Sequence, residues 1–468
     1  MGRRLDVAVG RVEGHASVAI DLDAAGRVAG ARVQVAELRG FERIAAGRPI
    51  REMPALTARI CGICPASHAI AAARAGDLLL GAPPPRAAVV LRELLEMAQV
   101  VSSHALSFFH VSAPDLVAAR GEEAPRDPLA LARAEPELFG DGLVLRRTAQ
   151  EATEAIAGRR IHAPFAVPGG VAAPLDRAAR DRIAASLPAA VAAAERTLAW
   201  WLGELPRHAD EAAAASFESL FLALAGPGGE PGWTGGRLRI VSAHGEVVAD
   251  GIDPQEYASA IAESPAPWSY ARLAHYAPAG PEAGLLRVGP LARLGAATRL
   301  GTPRAERGRR AFRALGRGAV LSAFHAHLAR LVEILHALER MEALLADPAV
   351  LGREVLAPPG EPRREAVGDC EAPRGTLLHH YRVDGNGLVT SATLVTPTGI
   401  NVRAMGEAVR GIAERYLEAP RVTERLRAKV EAGVRAFDPC FSCASHAAGG
   451  GWLRVELRGP GGELLDEG

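Results

Sequence analysis

The sequence predicts a mostly α-helical fold, a large helical bundle with small peripheral β elements, in which N-terminal and C-terminal motifs meet at a buried metal site. The helical class follows from apolar residues that recur at intervals of three and four, as they do on amphipathic helices. The ends are expected to meet because four of the five cysteines form one CxxC pair near each end of the chain. The long segments with helical periodicity are residues 67–80, 85–112, 142–158, 175–226, 305–345, 404–417 and 420–436.

The β elements are predicted where apolar and polar residues alternate around turn-forming residues. One hairpin is expected around residues 23–26, and another around the Asp-Gly-Asn-Gly sequence of residues 384–387. A peripheral hairpin is expected near His244. Pro206 is expected to divide the 175–226 segment into two helices.

Length and composition exclude several classes of protein. The 468 residues could form two or three domains, but no low-complexity linker divides them, so one large unit is expected. Basic and acidic residues number 54 each, which removes the electrostatic reason to expect nucleic acid or an anionic membrane surface as a partner. No apolar run is long enough for a membrane span, and the N-terminus lacks the apolar core of a signal peptide. A cytoplasmic protein is therefore expected.

Two cysteine pairs carry the chemistry: Cys61 with Cys64, and Cys440 with Cys443. CxxC spacing in a chain with so few cysteines favours metal or redox chemistry over a disulfide scaffold. An Asp-Pro dipeptide at Asp438 predicts a helix start before the second pair, which would place its two thiols on one face. Spacing alone leaves open a zinc site with four thiolates, an iron–sulfur cluster and another redox metal.

The residues around both pairs resemble the two signatures of the nickel-iron hydrogenase large subunit. These are RICGICPASH at residues 59–68 and DPCFSCASH at residues 438–446. Further matches follow in the family's order: RVEGH at 11–15, RGFE at 39–42, PGG at 168–170, VGPLAR at 288–293, EAPRG at 371–375 and TPT at 396–398. The resemblance implies one large-subunit domain over residues 1–446, followed by a C-terminal extension over residues 447–468.

The resemblance also implies the metals and the reaction. Cys61 and Cys440 would be terminal ligands of nickel, while Cys64 and Cys443 would bridge nickel to an iron that carries carbon monoxide and cyanide. The implied reaction is the reversible heterolytic cleavage of dihydrogen into protons and electrons, which pass to an iron–sulfur small subunit. Two alternatives stay open: a regulatory subunit that senses dihydrogen, and a non-catalytic zinc protein with four thiolate ligands.

Four charged residues match catalytic positions of the family. Glu13 is similar to the glutamate that transfers protons, and Arg374 to the guanidinium over the open site. Asp115 resembles the carboxylate that pairs with this arginine, and Asp438 resembles a second one. Without the resemblance, each of these residues would be interpreted as an ordinary surface or helix-end charge.

Further residues match the surroundings of the metals. Pro373, Pro397 and Thr398 would line the diatomic ligands, where a hydroxyl can donate a hydrogen bond to a cyanide nitrogen. His68 and His104 would donate hydrogen bonds to metal ligands, or would simply be satisfied histidines of the core.

A second metal, magnesium or another iron, is implied beside the site. Its ligands would be Glu42, His446 and the backbone carbonyl of Leu394. Cys370 matches no ligand position and is expected to be a small buried residue.

The extension and the subclass complete the resemblance. The family is usually cut just after the last histidine, so residues 447–468 are expected to be removed by a maturation protease; a retained β-like tail is the alternative. RGTLLHHY at residues 374–381 is most similar to the cytoplasmic bidirectional class, whose partners use NAD(P), a deazaflavin or another carrier. Because this chain has no glycine-rich nucleotide fingerprint after a strand, such a cofactor would bind to another subunit.

Overall fold

The computed structural model describes residues 11–36, 40–118, 127–445, 453–459 and 463–467. Its helices are α1 Phe41–Ala45, α2 Met53–Thr57, α3 Pro65–Leu79, α4 Arg86–Ala105, α5 Ala113–Ala118, α6 Pro128–Ala134, α7 Pro136–Ala157, α8 Arg177–Glu204, α9 Ala209–Ala214, α10 Gly280–Ala283, α11 Pro290–Ala296, α12 Pro303–Arg313, α13 Ala326–Ala346, α14 Pro397–Tyr416, α15 Glu424–Ala436 and α16 Phe441–Ser445. A π-helical segment, Leu106–Ser112, continues α4.

The strands are short and group into small sheets. They are β1 Ala16–Leu22, β2 Val28–Val35, β3 Ala166–Val167, β4 Gly170–Val171, β5 Leu220–Ala225, β6 Arg237–Val241, β7 Val247–Ile252, β8 Ile261–Ala266, β9 Ser269–Tyr276, β10 Leu286–Arg287, β11 Glu365–Ala372, β12 Gly375–Val383, β13 Val389–Val395, β14 Leu453–Arg458 and β15 Leu464–Glu467. The sheet orders are β15-β14-β1-β2, β10-β5-β6-β7, β11-β12-β13, β3-β4 and β8-β9.

The main core lies among the long helices. Helix α4 packs against α7 and α13, and α8 packs against both α7 and α13. Their facing sides are alanine, leucine and valine, and the apolar cluster that these residues form continues into β1, β2, α14 and α15. Burial of this much apolar surface is the main force that holds the fold together.

The predicted class, mostly helical with small sheets, is confirmed. The hairpins expected around residues 23–26, 244 and 384–387 are present as β1–β2, β6–β7 and β12–β13. The break near Pro206 is also present, but the end of the 175–226 segment is wrong, because residues 220–225 form strand β5. Strands β8, β9 and β11 were not predicted. Across the described residues, no helix has the length and apolarity that a membrane span requires.

Two close backbone approaches bring the site's segments together. Helix α3 lies directly on β11, and a Cβ at Gly368 would be 1.9 Å from the carbonyl oxygen of Ala71. The N-terminal segment bridges the C-terminal motif through Glu13 and Cys440. There, a Cβ at Gly14 (φ +84°) would be 2.6 Å from the backbone nitrogen of Ser442. The first approach fixes α3 against the sheet, and the second joins the two ends of the chain.

Candidate metal centre

The four cysteines of the two CxxC pairs meet in one buried cluster. All four sulfur atoms lie within 4.8 Å of one another. Sγ of Cys61 is 3.2 Å from Sγ of Cys440, Sγ of Cys64 is 3.5 Å from Sγ of Cys443, and the two C-terminal sulfurs are 2.8 Å apart. Each cross-pair contact joins residues 379 positions apart. The cluster therefore offers four soft ligands from opposite ends of the chain.

The N-terminal pair precedes its helix. Cys64 is the N-cap of α3, and proline occupies the first helical position. Gln99 of α4 holds the loop from both sides, since its side-chain nitrogen donates to the carbonyl of Ile63 (2.5 Å) and its oxygen accepts from the backbone of Ala66 (3.4 Å). Helix α3, α4 and this amide thus fix the N-terminal pair. Gln99 was not predicted as a site residue.

The C-terminal pair spans the start of the short helix α16. The helix begins at Phe441, so the prediction that Asp438 caps it is wrong. Cys440 takes its position from distant segments: its backbone N–H donates to Thr398 Oγ1 (3.1 Å), and its Sγ lies 2.9 Å from Glu13 Oε2. The same Glu13 oxygen accepts from the backbone N–H of Ser442 at 3.2 Å.

Burial and mutual contacts separate the thiols by their acidity. Burial raises the pKa values of Cys440 and Cys443 well above their ordinary range. Hydrogen bonds from Cys440, Cys443 and Cys61, followed by one from His68, lower the pKa of Cys64 well below its ordinary range. A metal ion would displace the protons of the more basic thiols, because only thiolates are good ligands.

Arg374 and Asp438 form a buried ion pair beside the sulfurs. Arg374 Nε donates to the carbonyl of Asp438 (2.6 Å), and one terminal nitrogen is 3.1 Å from Asp438 Oδ1. Although burial opposes its charge, Asp438 and the nearby cysteines raise the pKa of Arg374 well above its ordinary value. Asp438 has a positive φ of 52°, which turns its backbone carbonyl as well as its carboxylate toward the guanidinium. A fixed positive charge therefore lies at the site.

The prediction that Asp115 pairs with Arg374 is wrong. Asp115 Oδ1 accepts from Arg11 at 2.5 Å and Oδ2 accepts from Arg435 at 2.8 Å. Arg11 also donates to the carbonyl of Val111 at 2.7 Å. These contacts tie the segment before Glu13 to the helices around it, and they occupy both oxygens of the aspartate.

The residues expected to line the diatomic ligands are all buried. Pro373 directly precedes Arg374, Pro397 is the first residue of α14, and Thr398 is the second. The Thr398 oxygen accepts from Cys440, and no acceptor for its hydroxyl proton is present among the described residues. That proton and the positive N-terminus of α14 face the C-terminal pair, as a small anionic ligand would require.

The proposed second-metal residues are only partly described. Leu394 belongs to the same apolar cluster as the four cysteines and pairs with His379 across β13 and β12. Glu42 lies in α1, which packs against β13, and its charge reaches Tyr381. His446 lies outside the described residues, so the complete set cannot be assembled from them.

A buried charge network behind Arg374 was not predicted. Arg293 donates to Glu333 (2.7 and 2.8 Å), to Glu371 (2.8 Å) and to the carbonyls of Ala372 (2.8 Å) and Pro373 (2.9 Å). His104, expected near the metals, instead contacts Glu333 at 2.8 Å. Despite burial, Arg293 lowers the pKa of Glu333 to about 2. Arg293 is the last residue of the quoted VGPLAR motif, which was the available signal.

The sequence comparisons identify the family. A family model described as "Nickel-dependent hydrogenase" matches residues 39–131 and 256–446, and a "HoxL-like" model matches residues 8–38. The "NAD-reducing hydrogenase HoxS subunit beta" of Cupriavidus necator is 36% identical over 488 aligned residues, covering 100% of this chain and 99% of that protein. A subunit of the F420-non-reducing hydrogenase vhc of Methanococcus voltae is 35% identical over 449 residues, covering 94% of each chain.

Solved structures agree with the sequence comparisons. An NAD+-reducing [NiFe]-hydrogenase in the H2-reduced state superposes with a TM-score of 0.90 at 40% identity, covering 94% of this chain and 98% of that chain. A reduced Ni-Fe-Se hydrogenase from D. vulgaris Hildenborough superposes with a TM-score of 0.75 at 26% identity, covering 94% and 99%. These matches support the hydrogenase interpretation over the sensor and the zinc protein.

Proposed function

Because the chain belongs to the nickel-dependent hydrogenase family, we propose that its four-cysteine cluster is the active site for the reversible cleavage of dihydrogen to protons and electrons. The observation that carries the assignment is the convergence of Cys61, Cys64, Cys440 and Cys443 with a proton acceptor and a fixed cation. The predicted recognition of the family and its enzymatic activity are confirmed by the comparisons.

The donor set fits nickel and iron. Soft thiolates suit both metals, and four of them can hold two ions when two sulfurs bridge. We assign Cys61 and Cys440 as terminal nickel ligands and Cys64 and Cys443 as bridges to iron. The bound metals supply a Lewis-acidic open position that polarises dihydrogen and accepts its electrons. Carbon monoxide and cyanide on iron are supported by the buried surroundings of Pro373, Pro397 and Thr398.

Glu13 is assigned as the base that receives the proton. Its carboxylate touches Sγ of Cys440 at 2.9 Å, within the distance that direct proton transfer requires. The residue is also partly exposed, so the carboxylate connects the buried sulfur with the outside. Its orientation is fixed, since the backbone N–H of Ser442 donates to the same oxygen.

Arg374 is assigned as the electrostatic group of the site. Its charge is compensated by Asp438, which keeps the guanidinium oriented in a region from which water is excluded. A preorganised cation in such a region can stabilise charge that develops when dihydrogen is split. Asp115 acts one step further away, by holding Arg11 and thereby the segment that carries Glu13.

The second metal, the partners and the location are proposed on weaker grounds. Glu42, the Leu394 carbonyl and His446 are assigned to magnesium or a second iron. Relatives that are themselves named as subunits support two kinds of partner, an iron–sulfur small subunit with further electron-transfer subunits. The NAD-reducing relative favours an NAD(P)-linked acceptor over a deazaflavin and, since NAD(P) is an intracellular cofactor, a cytoplasmic location.

Removal of residues 447–468 by a maturation protease is supported by the family model, whose match ends at residue 446. Within the extension, β14 pairs in parallel with β1 from Ala16 with Leu453 to Asp21 with Arg458, and β15 pairs with β14. The unprocessed chain thus carries its tail as an added edge of the N-terminal sheet. Mass spectrometry of active enzyme from the native host tests the proposal, and an intact tail there would refute processing.

The Glu13→Gln variant tests the proposed reaction. Gln keeps the size of the side chain but cannot take a proton, so we expect dihydrogen-dependent dye reduction and H/D exchange with solvent to fall by about 10²- to 10⁴-fold. Nickel and iron contents should stay those of the wild type. Glu52→Gln, at an exposed glutamate, is the control. Unchanged exchange in Glu13→Gln would contradict the assignment.

A further inference from the structure

A line of three buried aromatic side chains connects the interior with Cys64. The hydroxyl of Tyr381 is 2.9 Å from Nδ1 of His379, and Nε2 of His379 is 3.1 Å from Nδ1 of His68. The exposed fractions of the three residues are 0%, 0% and 1%, so water does not compete for these contacts. His68 in turn makes a hydrogen bond to Cys64.

The direction of these hydrogen bonds follows from the sulfur at one end of the line. A metal-bound cysteine is a thiolate, which can only accept, so His68 must donate to Cys64. Its Nδ1 faces His379, so the donated proton lies on Nε2 of His68. A neutral imidazole has one N–H and one acceptor nitrogen, so Nδ1 of His68 accepts from Nε2–H of His379.

The same rule carries the direction on to Tyr381. Because His379 donates through Nε2, its Nδ1 is an acceptor, and the phenol must donate to it. The hydroxyl of Thr57 also makes a hydrogen bond to the phenol. The phenolic oxygen can accept that bond while its own proton goes to His379. Burial, together with the charge of Glu42, raises the pKa of Tyr381 well above its ordinary value, so the phenol keeps its proton.

We propose that Tyr381 and His379 form a one-way hydrogen-bond relay that holds the tautomer of His68, so that His68 donates to the Cys64 thiolate. Tyr381 is thus a positioning residue that adjusts the electron donation of one sulfur through two intervening rings. The inference rests on the proposed function, in which Cys64 bridges nickel and iron. A hydrogen bond withdraws electron density from a thiolate, and its loss makes the sulfur a stronger donor to the metals.

The structure offers a matched control one residue along the same strand. His380 points to the other side of β12, and its Nδ1 lies 3.3 Å from the hydroxyl of Tyr257. The ring centroids are 5.7 Å apart at 83° in this pair and 5.9 Å apart at 73° in the Tyr381–His379 pair. Tyr257→Phe therefore removes the same kind of hydrogen bond without touching the relay.

The test is infrared spectroscopy of the holoenzyme, which reports the stretching bands of iron-bound carbon monoxide and cyanide. In Tyr381→Phe, we expect these bands to shift to lower wavenumber because the more electron-rich sulfur increases back-donation from iron. In Tyr257→Phe, we expect no shift. Site-specific 3-fluorotyrosine at position 381 preserves the ring and donates more strongly, so it should shift the bands to higher wavenumber even if Tyr381→Phe fails to fold.

The outcomes separate the relay from the function on which it rests. Wild-type bands that neither substitution at position 381 moves would overturn the relay alone, and so would an equal shift in Tyr257→Phe. A wild-type holoenzyme without carbon monoxide and cyanide bands would overturn the proposed cofactor, and the relay with it.

Discussion

The two cysteine pairs have the same spacing but are held in different ways. The N-terminal pair precedes the 15-residue helix α3, which lies against β11, and Gln99 fixes its loop from a neighbouring helix. The C-terminal pair stands on the five-residue helix α16 and takes its position from Thr398, Glu13 and the Arg374–Asp438 pair. One pair rests on regular structure close to it in the chain, whereas the other depends on single contacts with distant segments.

The difference indicates an order of assembly. A helix on a sheet buries enough apolar surface to hold the N-terminal pair before any metal is present. The C-terminal pair is complete only when residues 427 positions apart, Glu13 and Cys440, lie side by side. We therefore expect the C-terminal pair to close over the metals last, which is consistent with an extension that is removed after metal insertion.

The largest effect is expected from removing one bridging thiolate from either pair. Cys64→Ser and Cys443→Ser replace a soft sulfur with a hard oxygen, so both variants should lose iron and nickel, with dihydrogen-dependent dye reduction below about 10⁻³ of wild type. Cys370→Ser is the control, because Cys370 is buried but its sulfur donates to the carbonyl of Trp233. Full activity in Cys64→Ser would contradict the shared site.

A smaller effect is expected from separating the two ends of the chain. Gly14→Ala places a Cβ 2.6 Å from the backbone of Ser442, whereas Gly26→Ala, at a similar positive φ, meets nothing within 4 Å. Both substitutions carry the cost of about 1–2 kcal/mol for a left-handed residue. Only Gly14→Ala should also displace the C-terminal pair and lower metal retention on dialysis. Equal retention in the two variants would show that the contact does not anchor the pair.

The smallest effect on the sulfurs is expected from Glu333, which stabilises the framework behind Arg374. Its pKa of about 2 lies below the ordinary value of about 4.3, so its stabilisation is present above about pH 4.3 and is lost as the pH falls toward about 2. Glu333→Gln should lower the free energy of unfolding by about 3–5 kcal/mol at about pH 7 and by much less near pH 3. Urea denaturation at the two pH values measures this difference.

The matched control for this substitution is Glu414→Gln, at an exposed ion pair with Arg410. It should change the stability by less than about 1 kcal/mol at either pH. A cost for Glu333→Gln that does not depend on pH would mean that the Arg293 charge does not hold this carboxylate.

The sequence predicted what depends on local pattern or on the quoted motifs. Hairpins with tight-turn residues were found because the signal lies within a few residues. Strand β11 was missed because it is buried almost throughout and includes Gly368, Asp369 and Glu371, which break the alternation typical of strands. Those carboxylates are satisfied by arginines far away in the chain, and no local pattern reports such a partner.

The site shows the same division. The four cysteines, Glu13 and Arg374 could be placed by the motif resemblance, and the structure brings them together. Asp115 was assigned the wrong partner because its contacts, Arg11 and Arg435, lie 104 and 320 residues away. Tyr381 gave no signal of its own, since its role depends on His379 and His68 being brought into line by the fold.

The most direct test of the central claim is the metal content of the wild-type chain purified from a host that matures it natively. If the two cysteine pairs form one nickel–iron centre, inductively coupled plasma mass spectrometry should find nickel together with iron and no stoichiometric zinc. Zinc without nickel in this material would contradict the account and would identify the cluster as a structural thiolate site.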